Sequence, residues 1–139
     1  MKRFVLGGLV AAALAAAAAP IAAHHSFAAE FDANKPVTLT GIVTKVEWTN
    51  PHVWFYINVK DEKTGEVTNW GAEMGPPHGL QRRGWRRETL KIGEEVTVVG
   101  SRAKNGSNRM NARQVTMTST GGRPGETLDA VSSQGGANP

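Results

Sequence analysis

The strictest alternation of apolar and polar positions along the chain follows Pro51. Asn50-Pro51 indicates a turn, because the proline ring fixes φ and restrains the residue before it. Residues 52–60 then alternate with a period of two, which predicts a β-strand. One face of this strand is apolar, and the opposite face carries Trp54 and Tyr56. The apolar face comprises Val53, Phe55, Ile57 and Val59.

Four other segments have the short apolar pattern of strands, and one has the pattern of a short helix. The apolar phase of the first strand slips near Gly41, which indicates a bulge or a sharp bend. A long, bent first strand suits a small barrel, where it pairs with two neighbours. The predicted strands are Val37–Trp48, His52–Lys60, Glu66–Met74, Glu95–Ser101 and Met110–Thr118, and the helix covers His78–Arg83.

Five strands with a helical segment between the third and fourth follow the element order of the OB-fold, a partly open Greek-key barrel. We therefore predict an all-β domain with one short helix, built as a five-stranded OB-fold-like Greek-key barrel. A small β-sandwich is the alternative, which the position of the helix disfavours. Leu80, Trp85 and Leu90 are the expected inward anchors of the helical region.

The two ends of the chain differ in composition from the middle. A basic start, an Ala-rich apolar run and a small-residue end are typical of a secretory signal peptide over 1–23. A membrane anchor is the alternative, but it needs about 20 strongly apolar residues. The barrel domain is expected over 24–118, and residues 119–139 are expected to be a disordered tail, since they carry few large apolar side chains. We expect a periplasmic mature protein without a transmembrane segment.

Charge and cysteine content narrow the function further. Cleavage after Ala23 removes Lys2 and Arg3 and lowers the formal net charge from +4 to +2. A charge this small is weak for tracking a phosphate backbone, so nucleic acid is not an expected partner. The chain contains no cysteine, which excludes disulfides, thiolate metal sites and cysteine nucleophiles.

Histidines near the expected mature N-terminus suggest a metal site. Cleavage after Ala23 would give His24 a free α-amine beside its imidazole, a compact chelate for Cu(II). His25 or His52 could complete the set, and nitrogen ligands favour copper among the divalent metals. Alternatively, His24 and His25 belong to a flexible polar start of the mature chain, and His52 caps a turn. The leading hypothesis is therefore an exported binding protein that holds copper or another transition metal through His24, His25 and His52.

A second hypothesis uses the aromatic strand without a metal. Trp54, Tyr56 and Arg86 would present a stacking surface with a basic rim to a small ligand or to a periplasmic protein partner. Alternatively, the aromatic side chains form a second core face and the arginine lies on a solvent-exposed helix. Thioether ligation of Cu(I) by methionines is a further variant, although methionine on the strands of a small barrel usually fills core.

No pattern of catalytic residues is evident in the chain. It lacks the Gly-x-Ser-x-Gly elbow and the His-Glu-x-x-His helix, and acidic residues such as Glu47 and Glu73 have no motif to fix their geometry. We therefore expect a protein that binds rather than an enzyme.

Three segments carry a resemblance to a known family. They are Ala23-His24-His25-Ser26-Phe27, the segment Glu47 to His52 (EWTNPH), and Gly84-Trp85 followed by Leu90 to Val98 (LKIGEEVTV). In combination they resemble the DUF6152 family of exported bacterial proteins of unknown function, over roughly His24 to Met117. The resemblance implies an exported β-rich domain and brings no catalytic residues.

Overall fold

The computed structural model describes residues 27–118 and 125–133. The predicted signal peptide and the histidines His24 and His25 lie outside the described residues. The described part is mostly β-structure. Its elements are α1 (Phe27–Glu30), β1 (Phe31–Glu47), β2 (Trp54–Lys60), β3 (Val67–Glu73), α2 (Pro77–Arg82), β4 (Glu95–Ala103), β5 (Arg109–Met117) and β6 (Thr127–Asp129).

The long first strand joins two neighbours, as the sequence predicts. The stretch from Pro36 to Ile42 pairs antiparallel with β4, and the stretch from Ile42 to Glu47 pairs antiparallel with β2. Gly41 lies where β1 passes from one neighbour to the other. A Cβ at Gly41 would lie 2.5 Å from the backbone oxygen of Asn58, so only glycine permits this close approach. The irregularity in pairing falls between Val43 and Lys45 rather than at the glycine.

The strands close into a ring. Neighbours follow the order β3-β2-β1-β4-β5, and a short parallel pairing between β3 and β5 joins the two ends. In that pairing Gly71 lies beside Arg109 and Glu73 beside Asn111. The predicted β-rich fold with a helix between the third and fourth strands is confirmed. The ring of strands is compatible with the predicted five-stranded OB-fold-like barrel, to which the structure adds β6 as a sixth strand. Among the described residues, no helix has the length and apolar character needed to span a membrane.

The core lies inside the ring and against α2. It takes the apolar face of β2, where Val53, Phe55 and Ile57 are fully buried. The predicted anchors of the helical region are also buried. α2 begins at Pro77, where a missing N–H costs nothing, and Gly84 at a φ of 93° follows its end. Leu80 and Trp85 are fully buried, and Leu90 is nearly so.

The prediction of a disordered tail over 119–139 is wrong for residues 125–133. Thr127–Asp129 form β6, which pairs antiparallel with β5, and the following Ala130 is fully buried. The indole N–H of Trp85 donates to the backbone oxygen of Asp129 at 2.8 Å. The few apolar side chains of this segment suffice because strand pairing satisfies its backbone.

Candidate functional site

His52 and Glu73 form a pair on the outer face of the sheet. The His52 Nδ1 atom lies 3.1 Å from the Glu73 Oε1 atom. His52 follows the cis Asn50-Pro51 peptide bond and precedes β2, and Glu73 is the last residue of β3. Their approach follows from strand register, because Trp54 pairs with Glu73 two positions after His52. The sequence pointed to His52 but gave no reason to prefer Glu73 as its partner.

Glu73 is an unusual residue for the outer face because its side chain is only 8% exposed. Burial raises the pKa of Glu73 to about 7, and the negative charge of Glu30 acts in the same direction. The positive charge of Arg109 and a hydrogen bond from Asn111 lower this pKa, but by less. The carboxyl therefore changes charge near neutral pH, next to an imidazole.

Asn111 completes the buried polar cluster, the name used here for His52, Glu73 and Asn111. Its Nδ2 atom donates to Glu73 Oε1 at 3.4 Å and to Ser133 Oγ at 3.0 Å. The side chain is 1% exposed. The parallel pairing of β3 with β5 sets Asn111 beside Glu73, a contact that sequence pattern alone could not reveal.

The N-terminal segment packs next to this cluster. Phe27, the first described residue, and Phe31 pack against each other, with their ring centroids 5.9 Å apart. Trp54 packs against the same small cluster of apolar side chains. Glu30 of α1 forms an ion pair with Arg109 at 3.8 Å. The chain that carries the paired histidines thus joins the described structure beside Trp54.

The described residues do not form a metal site by themselves. Within residues 27–118 and 125–133, no three or more histidine, cysteine, aspartate or glutamate side chains are grouped so that they could hold a metal ion. His78 is exposed on α2. The methionines considered for Cu(I), Met74, Met110 and Met117, are fully buried in the apolar core.

A groove of about 370 Å³ lies on the same face of β2 and β3. Its floor is Gly71, where a Cβ would lie 3.2 Å from the Tyr56 ring and 3.6 Å from the Trp54 ring. The glycine therefore keeps space open between two aromatic side chains. The groove is lined by Glu47, Trp54, Tyr56, Asn69, Gly71, Asn108 and Arg109.

Each aromatic ring of the groove has a cation beside it. The Arg109 guanidinium carbon lies 4.7 Å from the centre of the Trp54 ring, and the Lys45 ammonium lies 5.4 Å from the centre of the Tyr56 ring. The Tyr56 hydroxyl donates to Glu47 at 3.2 Å, and Lys45 forms an ion pair with the same carboxylate.

These contacts also shift the titration of the groove residues. The hydrogen bond from Lys45 lowers the pKa of Glu47, and burial followed by the Glu47 contact raises the pKa of Tyr56. Both groups therefore keep their usual charge at neutral pH. Positive and negative groups are balanced within this surface.

Arg86 lies apart from the aromatic strand. Its guanidinium donates to the backbone oxygens of Trp85 at 2.7 Å and Gln81 at 3.2 Å, so it stabilises the turn after α2. The groove instead receives Arg109, the first residue of β5. Sequence reasoning missed this arginine because only the parallel β3–β5 pairing brings it beside Trp54.

Comparison with known proteins identifies a family for the chain. A search of curated proteins finds no match to the chain. The model of the family described as "Family of unknown function (DUF6152)" matches residues 11–112. This match spans well over half of the chain and includes both the buried polar cluster and the groove. The chain therefore belongs to the DUF6152 family.

Proposed function

We propose that the protein is an exported, non-enzymatic protein that binds a transition metal, with Cu(II) as the first candidate. The binding groups are His52 and the paired His24 and His25. The observation that carries this proposal is the contact between His52 and the buried Glu73. It supplies the one feature that a row of histidines in the sequence cannot provide, namely an oriented imidazole.

Metal-binding histidines commonly donate their second ring N–H to a carboxylate, which fixes the tautomer and the ring orientation. Glu73 lies 3.1 Å from Nδ1 of His52. On this proposal His52 would bind the metal through Nε2, and Glu73 would be the orienting group. Asn111 in turn contacts the carboxyl oxygen that faces His52.

Chain length limits how far the paired histidines can lie from the apolar cluster around Trp54. Phe27 packs in the small apolar cluster that includes Trp54, which is two residues from His52 and in register with Glu73. His25 precedes Phe27 by two residues. An extended chain covers about 3.5 Å per residue, so the Cα atom of His25 can lie at most roughly 7 Å from the Cα atom of Phe27.

The choice of Cu(II) as the first candidate rests on the nitrogen donors. Imidazole nitrogens bind Cu(II) more tightly than the other divalent first-row ions. If export and cleavage leave His24 as the first residue, its α-amine adds a further nitrogen. Without cysteine in the chain, no thiolate competes for the ion.

Copper titration of the mature protein tests the proposal. We expect one Cu(II) per chain, with nitrogen hyperfine structure in the electron paramagnetic resonance spectrum. Replacing either His52 or the His24-His25 pair by alanine should weaken binding by at least about tenfold. His78→Ala is the matched control, since it removes an exposed histidine on α2, and its affinity should equal that of the wild type.

Two results would contradict this function. One is a secreted protein whose N-terminus, measured by mass spectrometry, lies beyond His25. The other is a wild-type protein that takes up no stoichiometric Cu(II) while remaining folded by circular dichroism.

A second candidate function is binding of a small polar ligand in the groove. Two aromatic rings flank Gly71, and amide, guanidinium and carboxylate groups surround them. Because each charge in the groove has a counter-charge, a neutral ligand with polar edges and one apolar face, such as a short saccharide, fits it better than an anion. The face formed by the second and third strands is also where OB-folds bind oligosaccharides.

Gly71→Val tests this second candidate, because the added side chain would fill the floor of the groove. Chemical-shift perturbation by neutral disaccharides should occur at Tyr56 and Arg109 in the wild type and disappear in the variant. Val67→Thr on the same strand is the control, since Val67 is 55% exposed and does not line the groove. Shifts that persist in Gly71→Val, or that are absent from the wild type, would exclude the groove as a saccharide site.

A further inference from the structure

The segment from Arg82 to Ile92, here called the basic patch, differs in charge from the rest of the described protein. It carries five cations and one carboxylate, whereas the other described residues carry eight cations and eleven carboxylates. All five cations are exposed, and they are Arg82, Arg83, Arg86, Arg87 and Lys91. With histidines counted as neutral, the formal charge is therefore positive in this one segment and negative over the remainder. A small net charge thus conceals a polarised surface.

Buried side chains anchor the backbone of the basic patch to the core. Trp85 is fully buried, and Thr89 is only 5% exposed. The Thr89 hydroxyl accepts a hydrogen bond from the Arg86 N–H at 2.7 Å. The turn that follows is fixed to β1, because the Gly93 N–H donates to the Val43 oxygen at 2.8 Å. The exposed cations are therefore carried by a backbone that is held in place between buried residues.

The cations of the basic patch lack counter-charges among the residues that the structure describes. Arg86 donates to the backbone oxygens of Gln81 and Trp85, which carry no net charge. Within residues 27–118 and 125–133, none of the other four cations of the patch forms an ion pair. Uncompensated cations on one surface attract a partner that carries many negative charges.

An exposed isoleucine adjoins these cations. Ile92 is 74% exposed, the highest value among the large apolar side chains that the structure describes. It lies between Lys91 and Gly93, whose φ of 89° turns the chain at this point. Removing such a side chain from water is favourable, and at a turn it can enter an apolar phase without disturbing the core. This feature favours a partner that has apolar matter behind its charges.

The crevice beside the basic patch is closed to small ligands. Trp48, which follows β1 and is partly exposed, lines it together with Arg86 and Arg87. The crevice is too narrow to admit a water molecule, so it cannot enclose a free phosphate. A layer of phosphates could instead contact several cations at once from outside. The amphipathic ring of a tryptophan also suits the interface between water and lipid.

We propose that the basic patch is a docking surface for a membrane that contains anionic phospholipids. The headgroup phosphates would contact the arginines and Lys91, and Ile92 would enter the headgroup layer beside them. Clusters of cations are attracted to anionic bilayers, and an apolar side chain that enters the interface adds to the affinity. The proposal goes beyond the metal and saccharide functions and does not depend on either, since it shares no residue with their sites.

Sedimentation of the mature protein with lipid vesicles tests the proposal, in the presence of a chelator. We expect binding to vesicles of equimolar phosphatidylcholine and phosphatidylglycerol, and affinity at least about tenfold weaker for vesicles of phosphatidylcholine alone. Raising the salt concentration should weaken the binding, because salt screens the attraction between exposed charges.

A pair of substitutions locates the binding surface. Arg83→Gln combined with Arg87→Gln should lower the affinity by at least about tenfold, since each cation near an anionic surface contributes about fivefold. Lys60→Gln combined with Lys63→Gln is the matched control, because it removes two exposed cations outside the patch. Its affinity should stay within about twofold of the wild type, since distant exposed charges are screened. Thermal unfolding checks that both variants remain folded.

A fluorescent label tests the role of the isoleucine. Because the chain contains no cysteine, Ile92→Cys provides a single attachment site for an environment-sensitive fluorophore. Its emission should shift to shorter wavelength when the anionic vesicles are added. Val67→Cys places the same label on β3 at a position that is 55% exposed and lies outside the patch, and its emission should not change.

Three results would overturn the proposal. The first is wild-type protein that does not sediment with the anionic vesicles at low salt. The second is an equal loss of affinity in the lysine variant, since net charge and not the patch would then cause the binding. The third is a label at position 92 that stays in water while the protein binds, because the cations would then attract any polyanion, an acidic protein included. None of these results bears on Cu(II) binding, which the chelator removes from the experiment.

Discussion

The outer face of β2 and β3 has two parts, the groove and the buried polar cluster, whose charged groups differ in their exposure to water. Trp54 lies between them. In the groove, each charged group has a counter-charge and remains in contact with water. In the buried polar cluster, the Glu73 carboxyl is removed from water and its partners are an imidazole and an amide. The groove residues therefore keep their usual charge near neutral pH, whereas Glu73 in the cluster changes charge there. Of the two functions proposed above, binding of a polar ligand would use the first environment and metal binding the second.

Removing the boundary between the two parts should have the largest effect. Trp54→Ala deletes a ring that packs in the Phe27 and Phe31 cluster and stacks with Arg109. We expect a loss of about 3 kcal/mol in the free energy of unfolding, at the low end for tryptophan truncation because Trp54 is only half-buried. Urea denaturation measures this. Trp54→Phe is the control, and its loss in the free energy of unfolding should be less than half as large. A Trp54→Ala variant as stable as the wild type would show that the Trp54 side chain does not support both parts.

The pH dependence of stability should come from the cluster and not from the groove. Because the pKa of Glu73 is raised in the folded state, the folded protein holds the proton more tightly than the unfolded chain. Its favourable contribution is complete below the unfolded pKa and is lost as pH rises toward about 7. In that range, stability relative to Glu73→Gln should fall by about 1.4 kcal/mol per pH unit.

Unfolding curves at several pH values, with a chelator present, measure this slope. His78→Ala should keep the wild-type slope, because it leaves the cluster intact. A difference between wild type and Glu73→Gln that does not vary with pH would contradict the assignment of the buried carboxyl.

Arg109 links the two parts, and its removal should have a moderate effect. Arg109→Ala loses the stack on Trp54 and a partly exposed ion pair with Glu30. We expect a loss of about 1 kcal/mol, since such contacts contribute little each in the presence of water. The pKa of Glu73 should also rise, because Arg109 lowers it in the wild type. Arg86→Ala is the comparison variant and should leave the midpoint of the Glu73 transition unchanged.

The smallest effect is expected inside the groove. Lys45 is 60% exposed and pairs with Glu47 beside the Tyr56 ring. Exposed pairs contribute about 0–1 kcal/mol, and salt screens them. Lys45→Ala should therefore leave the midpoint of thermal unfolding close to that of the wild type. A large drop in this midpoint, measured at two salt concentrations, would show that the groove is as desolvated as the cluster.

The local pattern of apolar and polar residues predicted most strands of the ring but not the β3–β5 pairing that closes it. Alternation around Phe55 and the phase slip near Gly41 depend only on neighbours in sequence, so strands and the bent β1 could be inferred. The strand β6 could not be inferred from the sequence. Its segment has too few large apolar side chains, Leu128 and Val131, to make a periodic signal, and the strand is stabilised by backbone pairing with β5.

Among the described residues of the candidate site, sequence pattern singles out His52 and the aromatic side chains. His52, Trp54 and Tyr56 share one segment, so their relation was visible in the sequence. Glu73 and Arg109 come from strands whose mutual register depends on the parallel β3–β5 pairing. Residue type offered no clue either, since a carboxylate at the end of a strand is usually solvated.

The parallel β3–β5 pairing that closes the ring, and the other contacts between distant parts of the chain, also fix when the site can form. Phe31 pairs with Ala103, and Asn111 meets serines more than twenty positions later in the chain. Contacts between such distant positions form slowly, because the entropy of closing long loops opposes them. The β2–β3 hairpin can form early, so His52 and Glu73 can meet before their supporting residues arrive. We expect the paired imidazole and carboxyl to mature from a loose contact into an oriented one at the final stage of folding.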